Sequence, residues 1–370
     1  MISADRLQVG QDHFGRHNRK IIKLHSFHTP CLLVDGTRLL KNIKNMAAFA
    51  KKNRVGLRPH FKTHKCVEIA KLQIKHGAVG ITCATIDEAE ALAKGGIKSI
   101  LIANQLTDEH KIKRLLRIQK KNNQIITGVE DVSNLLMLND LAGKQGKKIN
   151  VLIEVDTGME RLGRAPGKDV LWFAALVKTM KNIRLLGLMG YEGHAVFIQN
   201  KKERKKTALK AVKLLTESAK LLVKNGIPVG IISAGGTGTY DITGKILGVT
   251  ELQIGSYVFM DDKYTPLVKG FSNSLMVLSS VCGVRDDGTY IIDAGRKAIS
   301  SEFGDPLVGK KRILQFSEEH SKVEGTKVLT GQRVLVMPTH CCTTVNLHEQ
   351  LHIIDSKGSV KTWKIHRARL

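Results

Sequence analysis

The chain has 370 residues, 42% of them hydrophobic and 25% charged, too apolar for a disordered polymer and long enough for one large domain with a smaller one. Lys and Arg number 59 against 33 Asp and Glu, a formal net charge of +26, and six cysteines are too few for a disulfide framework. The N-terminus shows no apolar signal-peptide run and no stretch of about 18 apolar residues occurs, so a cytoplasmic protein without a membrane partner is expected.

The basic residues are dispersed: Lys111 with Lys113 and Arg114, Lys120 with Lys121, Lys147 with Lys148, the run from Lys201 to Lys206, and Lys310 with Lys311. Most fall where a helix would turn its outer face to water. No zinc-finger spacing, helix-turn-helix or aromatic-interleaved basic stripe accompanies them, so nucleic acid is not an expected partner.

A polar, basic arm fills residues 1 to about 25. A helix follows, with Leu39, Ile43, Met46 and Ala50 on one face and a cap at Asp35 or Thr37. Eight apolar runs of strand length come next: Val55–Phe61, Ala78–Ala84, Ser99–Ala103, Gln124–Val129, Asn150–Asp156, Ile183–Gly190, Val229–Ala234 and Glu251–Met260. They are apolar on both faces and separated by stretches at helical spacing, which predicts a (β/α)8 barrel; a doubly wound open sheet is the alternative. After about residue 265 the pattern changes to short, turn-punctuated runs at Leu275–Val284, Tyr290–Asp293, Val334–Pro338, Thr344–Ile354 and Val360–Ile365. The expected organisation is therefore an α/β chain: an N-terminal arm (1–28) joining the β domain, a barrel (29–265), and a mainly β C-terminal domain (266–370).

Chemistry in such a barrel sits at the C-terminal ends of the strands. The first strand ends in Arg58-Pro59-His60-Phe61-Lys62-Thr63-His64-Lys65. Lys62 stands where an inward-facing residue would reach the barrel mouth; a desolvated lysine there can form a Schiff base, and a surface lysine in a basic loop is the alternative. The seventh strand runs into Ser233-Ala234-Gly235-Gly236-Thr237-Gly238, whose small residues let backbone N–H groups approach a phosphate; a plain turn between strand and helix is the alternative. Gly255-Ser256-Tyr257 would supply the other side of that cradle. A lysine and a phosphate nest in one barrel mouth suggest pyridoxal phosphate.

The fifth strand leads to Arg161, which either contacts the cofactor ring oxygen or forms a rim salt bridge. The sixth leads to Tyr191-Glu192-Gly193-His194, with His194 a candidate general base and a structural histidine the alternative. In the β domain, Pro338-Thr339-His340-Cys341-Cys342 places His340 and Cys342 on one face if the backbone is extended. An imidazole with a thiolate suits Zn²⁺ and leaves positions open to water or substrate; a metal-free strand is the alternative.

Taken together, these motifs resemble the D-threonine aldolase and D-serine dehydratase family, metal-activated enzymes of the alanine-racemase-like, fold-type III pyridoxal phosphate class. The likeness runs from about Thr29 to the C-terminus. Arg58–Lys65 resembles the family's Schiff-base lysine motif, and Ser233–Tyr240 its phosphate loop. Glu251–Asp261, Tyr191–His194, Glu318–His320 and Thr344–His348 look like the aldolase branch, and Asp156–Met159 with Arg161 is similar to the alanine racemase pattern too.

The resemblance implies that Lys62 holds the cofactor and Arg161 lies near its ring hydroxyl. Gly235, Gly236, Thr237, Ser256 and Tyr257 would bind its phosphate, and Tyr191, Ser233 and Gly255 complete the cofactor set. His340 and Cys342 would bind a divalent metal beside the substrate hydroxyl. Typical D-threonine aldolases carry His-x-Asp at that position, which suits Mn²⁺ or Mg²⁺. Cys342 is the softer ligand of the zinc-dependent D-serine dehydratases and argues for Zn²⁺.

The activity implied is aldol cleavage of D-3-hydroxy amino acids by a homodimer, with dehydration of D-serine to an oxo acid and ammonia as the alternative. A non-catalytic binder of pyridoxal phosphate or nucleic acid is a third class.

Overall fold

A computed structural model describes residues 24–119 and 124–367. Lys120, Lys121 and most of the expected N-terminal arm lie outside them. Two compact units result: one comprises residues 24–45, 63–66 and 256–367, the other 46–62 and 67–255.

Strand β1 (Cys31–Asp35) leads directly into α1 (Gly36–Asn53). The Asp35 carboxylate accepts the Arg38 N–H at 2.9 Å, which caps α1, and Leu39, Ile43, Met46 and Ala50 are buried along one stripe.

In the second unit the eight expected strands are present. They are β2 (Gly56–Leu57), β3 (Ile81–Cys83), β4 (Ser99–Ile102), β5 (Gln124–Val129), β6 (Ile149–Glu154), β7 (Ile183–Met189), β8 (Ile231–Ala234) and β9 (Glu251–Leu252). All pair in parallel in the order β2-β9-β8-β7-β6-β5-β4-β3. The remaining gap is closed by Val79 N–H donating to Leu57 O at 2.8 Å, Thr82 N–H donating to Pro59 O at 2.9 Å, and a parallel bridge between His60 and Thr82. The sheet is thus a barrel rather than an open sheet.

Helices α2 (Val67–Lys75), α3 (Ile86–Lys94), α4 (Glu109–Gln119), α5 (Val132–Gly143), α6 (Lys168–Thr179), α7 (Lys201–Lys224) and the short α8 (Tyr240–Thr243) fill the connections. Their starts are set locally: the side chains of Thr85, Asp131 and Asn200 each accept a first-turn N–H of α3, α5 and α7. Successive strand residues then divide between two cores, as the pleat requires. Leu101, Ile126, Leu152 and Met189 cluster with one another, while Ile100, Ile102, Ile125, Val151 and Ile153 pack with apolar residues of the helices.

The first and last expected strands are shorter than their apolar runs. The chain turns at Phe61–Thr63 and again at Ser256–Val258, each a single turn of 3-10 helix.

The other unit is a nine-stranded sheet in the order β11-β14-β13-β12-β15-β10-β1-β16-β17, with β11 also pairing to β10. Its strands besides β1 are β10 (Leu275–Val284), β11 (Thr289–Ile292), β12 (Leu307–Val308), β13 (Lys311–Phe316), β14 (Ser321–Glu324), β15 (Arg333–Met337), β16 (Gln350–Ile354) and β17 (Val360–Lys364). Leu24, Leu33, Met276, Leu278, Leu335 and Ile354 form its apolar core. Segment 29–35, assigned to the barrel from the sequence, contributes β1 to this sheet. Within Thr344–Ile354 only β16 is extended; Cys341–Val345 is the short helix α9. No helix among the described residues is long and apolar enough to cross a membrane.

Candidate active site

Lys62 lies on the 3-10 turn that ends β2, not on the strand itself. Its side chain is exposed, so the desolvation expected of a strand position is not what distinguishes it. Its N–H is within 3.4 Å of His60 Nδ1. The loops after β6 and β7 meet where Thr157 Oγ1 donates to the Tyr191 carbonyl at 3.0 Å. His194 is exposed on the turn Gly193–Ala195 and lies beside Gly158, whose Cβ position would be 3.5 Å from the imidazole Cε1.

Arg161 is exposed in the loop after β6. Its charge favours ionisation of Glu154 at the end of that strand, but burial dominates and pushes the Glu154 carboxyl upward in pKa, against a 2.6 Å bond from Gln105.

The loop after β8 is built around a buried carboxylate that sequence reasoning gave no role. Glu192, 1% exposed, accepts the Gly235 N–H at 3.1 Å and the Thr239 hydroxyl at 2.7 Å, and it also accepts the Thr243 hydroxyl. Gly235 has φ +94°, and a Cβ on Gly236 would fall 3.0 Å from the Tyr191 ring and 2.9 Å from Val196. At Gly238 it would fall 2.0 Å from the Val196 carbonyl oxygen. The loop is therefore a backbone cradle pressed against the turn after β7, the kind of close-approach surface a phosphate uses. The Gly235 and Gly236 N–H groups are held by Glu192 and Thr239 Oγ1, so what suits this loop to pyridoxal phosphate, with Lys62 as its aldehyde partner, is the close backbone approach its small residues allow.

Ser233 has a different setting. It is fully buried, donates to Glu251 at 2.8 Å and accepts from Gln253 at 2.9 Å, so its hydroxyl belongs to a strand-to-strand network.

In the β unit, His340 and Cys342 are brought together, by a geometry other than the extended one expected. His340 is the last extended residue (φ −140°, ψ 110°), and α9 begins at Cys341. No side chain of His340 caps the helix; the buried Asp261 carboxylate, eighty positions earlier, accepts the Cys341 N–H at 3.0 Å and the Tyr264 N–H at 2.9 Å. Burial raises the Asp261 pKa to about 6, opposed by those two backbone bonds.

Cys342 has Thr63 Oγ1 at 3.3 Å and Ser256 Oγ at 3.6 Å. A hydrogen bond from Cys341 holds the Cys342 thiol well below its usual range, against burial and with help from His340. Burial opposes charge on His340, but its bonds to Cys342 and Glu302 outweigh this and raise its pKa to about 9. Tyr257 is buried edge-on to Phe271 with ring centroids 5.9 Å apart.

An imidazole and a thiolate-favouring cysteine in mutual contact fit a divalent cation with positions left open. No cluster of three or more His, Cys, Asp or Glu able to hold a metal occurs among the described residues.

Glu302, missed in the sequence, bonds His340 Nδ1 at 2.8 Å. No local signal marks it, since it lies 38 positions upstream in a polar turn.

A parallel eight-stranded barrel in one unit and a largely antiparallel β sheet in the other are the alanine-racemase-like fold. Residues 34–263 match the alanine racemase N-terminal domain and residues 274–354 the putative serine dehydratase domain. The chain belongs to the D-threonine aldolase and D-serine dehydratase family of alanine-racemase-like proteins.

It is 32% identical to a 3-hydroxy-D-aspartate aldolase of Paracoccus denitrificans (strain Pd 1222) over 91% of each chain. It is 33% identical to a D-threonine aldolase of Arthrobacter sp, covering 91% of this chain and 92% of that one. A D-threo-3-hydroxyaspartate dehydratase of Delftia sp. (strain HT23) is 28% identical over 92% of this chain and 98% of its own. The crystal structure of D-threonine aldolase from Filomicrobium marinum superposes with a TM-score of 0.89 at 29% identity, covering 93% of this chain and 97% of that one.

Proposed function

We propose that the chain is a metal-activated, pyridoxal-phosphate-dependent lyase that cleaves D-threonine and related D-3-hydroxy amino acids to glycine and an aldehyde. The observation that carries this reading is its alignment along 91% of its length with two relatives named as aldolases, at 32% and 33% identity. The same reading makes it a cytoplasmic homodimer.

When bound, the cofactor supplies a pyridine ring that accepts the electrons of the breaking Cα–Cβ bond. Lys62 would hold it, Arg161 and Tyr191 would flank its ring, and Gly235, Gly236, Thr237, Gly255, Ser256 and Tyr257 would bind its phosphate. His194, exposed on the turn Gly193–Ala195 that follows β7, would take the proton from the substrate's β-hydroxyl. His340 and Cys342 would hold Zn²⁺, or the harder Mn²⁺ or Mg²⁺, and so orient that hydroxyl and lower its pKa. The base then need not be strong.

Dehydration of a D-3-hydroxy amino acid is the second reading. The thiolate ligand Cys342 and the serine dehydratase domain over residues 274–354 favour it. There Lys62 would remove the α-proton instead.

The test is release of acetaldehyde from D- and L-threonine by protein supplied with pyridoxal phosphate and each of the three cations in turn. Release from the D isomer alone, lost in chelator and restored by Zn²⁺, is expected. No acetaldehyde from D-threonine with any cation overturns the proposal.

A further inference from the structure

We propose that Glu302 and Phe303 form a clamp that positions His340 for metal binding, with Glu302 fixing the imidazole tautomer and Phe303 fixing its plane. The inference rests on the metal reading above and adds a positioning residue that the ligand pair alone does not supply.

The Glu302 carboxylate lies 2.8 Å from His340 Nδ1. A carboxylate can only accept there, so Nδ1 carries a proton that stays on it, and the proton a cation would displace is the one on Nε2. Phe303 stacks on the same ring, with centroids 4.6 Å apart and planes at 28°. Together the two contacts restrict both rotation about the ring's bond to Cβ and exchange of the proton between nitrogens.

The turn that carries this pair is tied at both ends to the segment it serves. Ser300 N–H donates to Thr344 Oγ1 in α9 at 3.2 Å, and Thr339 Oγ1, next to His340, donates to the Gly304 carbonyl at 2.9 Å. Glu302 N–H in turn donates to Ser300 Oγ at 3.3 Å. The clamp therefore moves with His340 rather than meeting it by chance from a separate loop. The Glu302 side chain is 46% exposed, whereas His340 is 17% exposed, so the carboxylate approaches from the solvent side of the ring.

The experiment measures Zn²⁺ affinity by competition with a chromogenic chelator, using full-length protein loaded with pyridoxal phosphate. Glu302→Ala is expected to weaken Zn²⁺ binding by about 10- to 100-fold, with an unchanged melting temperature and unchanged visible absorbance of the bound cofactor. Glu302→Gln, whose amide oxygen still accepts from Nδ1, is expected to fall between the two. It keeps the test sharp if the alanine variant is unstable.

A Zn²⁺ Kd indistinguishable from wild type in both variants, while His340→Ala loses the metal, overturns the clamp and leaves the metal reading standing. Retention of Zn²⁺ by His340→Ala and by Cys342→Ala overturns the metal reading, and the clamp with it.

Discussion

Arg58 and Glu251 form an ion pair at 2.8 Å in which each side chain is only 5% exposed. It ties the residue following β2 to β9, the neighbours in the barrel that are farthest apart in sequence. Arg58 also donates to Ser99 Oγ at 2.7 Å, and Glu251 also accepts from Ser233 at 2.8 Å. Removing one partner leaves a buried charge without compensation, so Glu251→Gln or Arg58→Met should each lower stability by about 3–5 kcal/mol in urea titrations. The double variant Arg58→Met, Glu251→Leu should recover part of that loss. A single-variant loss of about 1 kcal/mol or less, the range of a surface pair, would contradict this role.

The glycine loop yields a sharper test because its obstacle is backbone. A Cβ at Gly238 would fall 2.0 Å from the Val196 carbonyl oxygen, which no rotamer change relieves. Gly238→Ala should cost about 1–3 kcal/mol and loosen retention of pyridoxal phosphate during dialysis. Gly283→Ala is a control for an added methyl, since Gly283, like Gly238, has no positive φ and nothing lies within 4 Å of its Cβ position. Equal cofactor retention by the Gly238 variant and wild type would contradict the cradle.

The barrel was legible because its strands are buried on both faces, which leaves short runs of Val and Ile between helical stretches. The sheet of the other unit was less so. Strand β13 shows the burial pattern exposed, exposed, buried, exposed, exposed, intermediate across Lys311–Phe316, so it carries no apolar run to read. β12 is two residues long. β1, by contrast, is wholly buried, but its five residues abut α1 and read as the lead into that helix.

At the site, the sequence named His340 and Cys342 and misjudged their backbone. α9 has the sequence Cys-Cys-Thr-Thr-Val, poor in helix formers, and its first N–H is bound by Asp261 from a distant turn. A cap supplied across the fold leaves no local trace. Glu192 and Glu302 were missed for the same reason: each acts through a partner that only folding brings near.

Two histidines of the β unit lower stability as the solution is acidified. His348 Nε2 lies 2.8 Å from the Ala298 carbonyl, and His352 bonds Thr362 Oγ1 at 3.0 Å beside the Phe27 ring. Burial holds both pKa values below the ordinary 6.5. The unfolded chain therefore binds these protons more readily than the native one. Their contribution is complete above pH 6.5 and is lost as pH falls through the lowered native values. Between about pH 7 and about pH 5 the wild type should lose more melting temperature, or gain less, than the His348→Gln, His352→Gln double variant. Identical slopes would contradict the assignment.

Lys62→Ala should abolish the visible absorbance of lysine-linked cofactor in purified, reconstituted protein, together with turnover. The variant should keep its melting temperature in the absence of cofactor, since the wild-type side chain is exposed. A visible band like that of wild type would exclude Lys62 as the linking residue.

The most direct measurement is product identification. Protein loaded with pyridoxal phosphate and Zn²⁺ is incubated with D-threonine, and the products are separated by chromatography. The account predicts glycine and acetaldehyde in equal amounts; an oxo acid with ammonia in their place would contradict it and make Cys342 the better guide to the reaction.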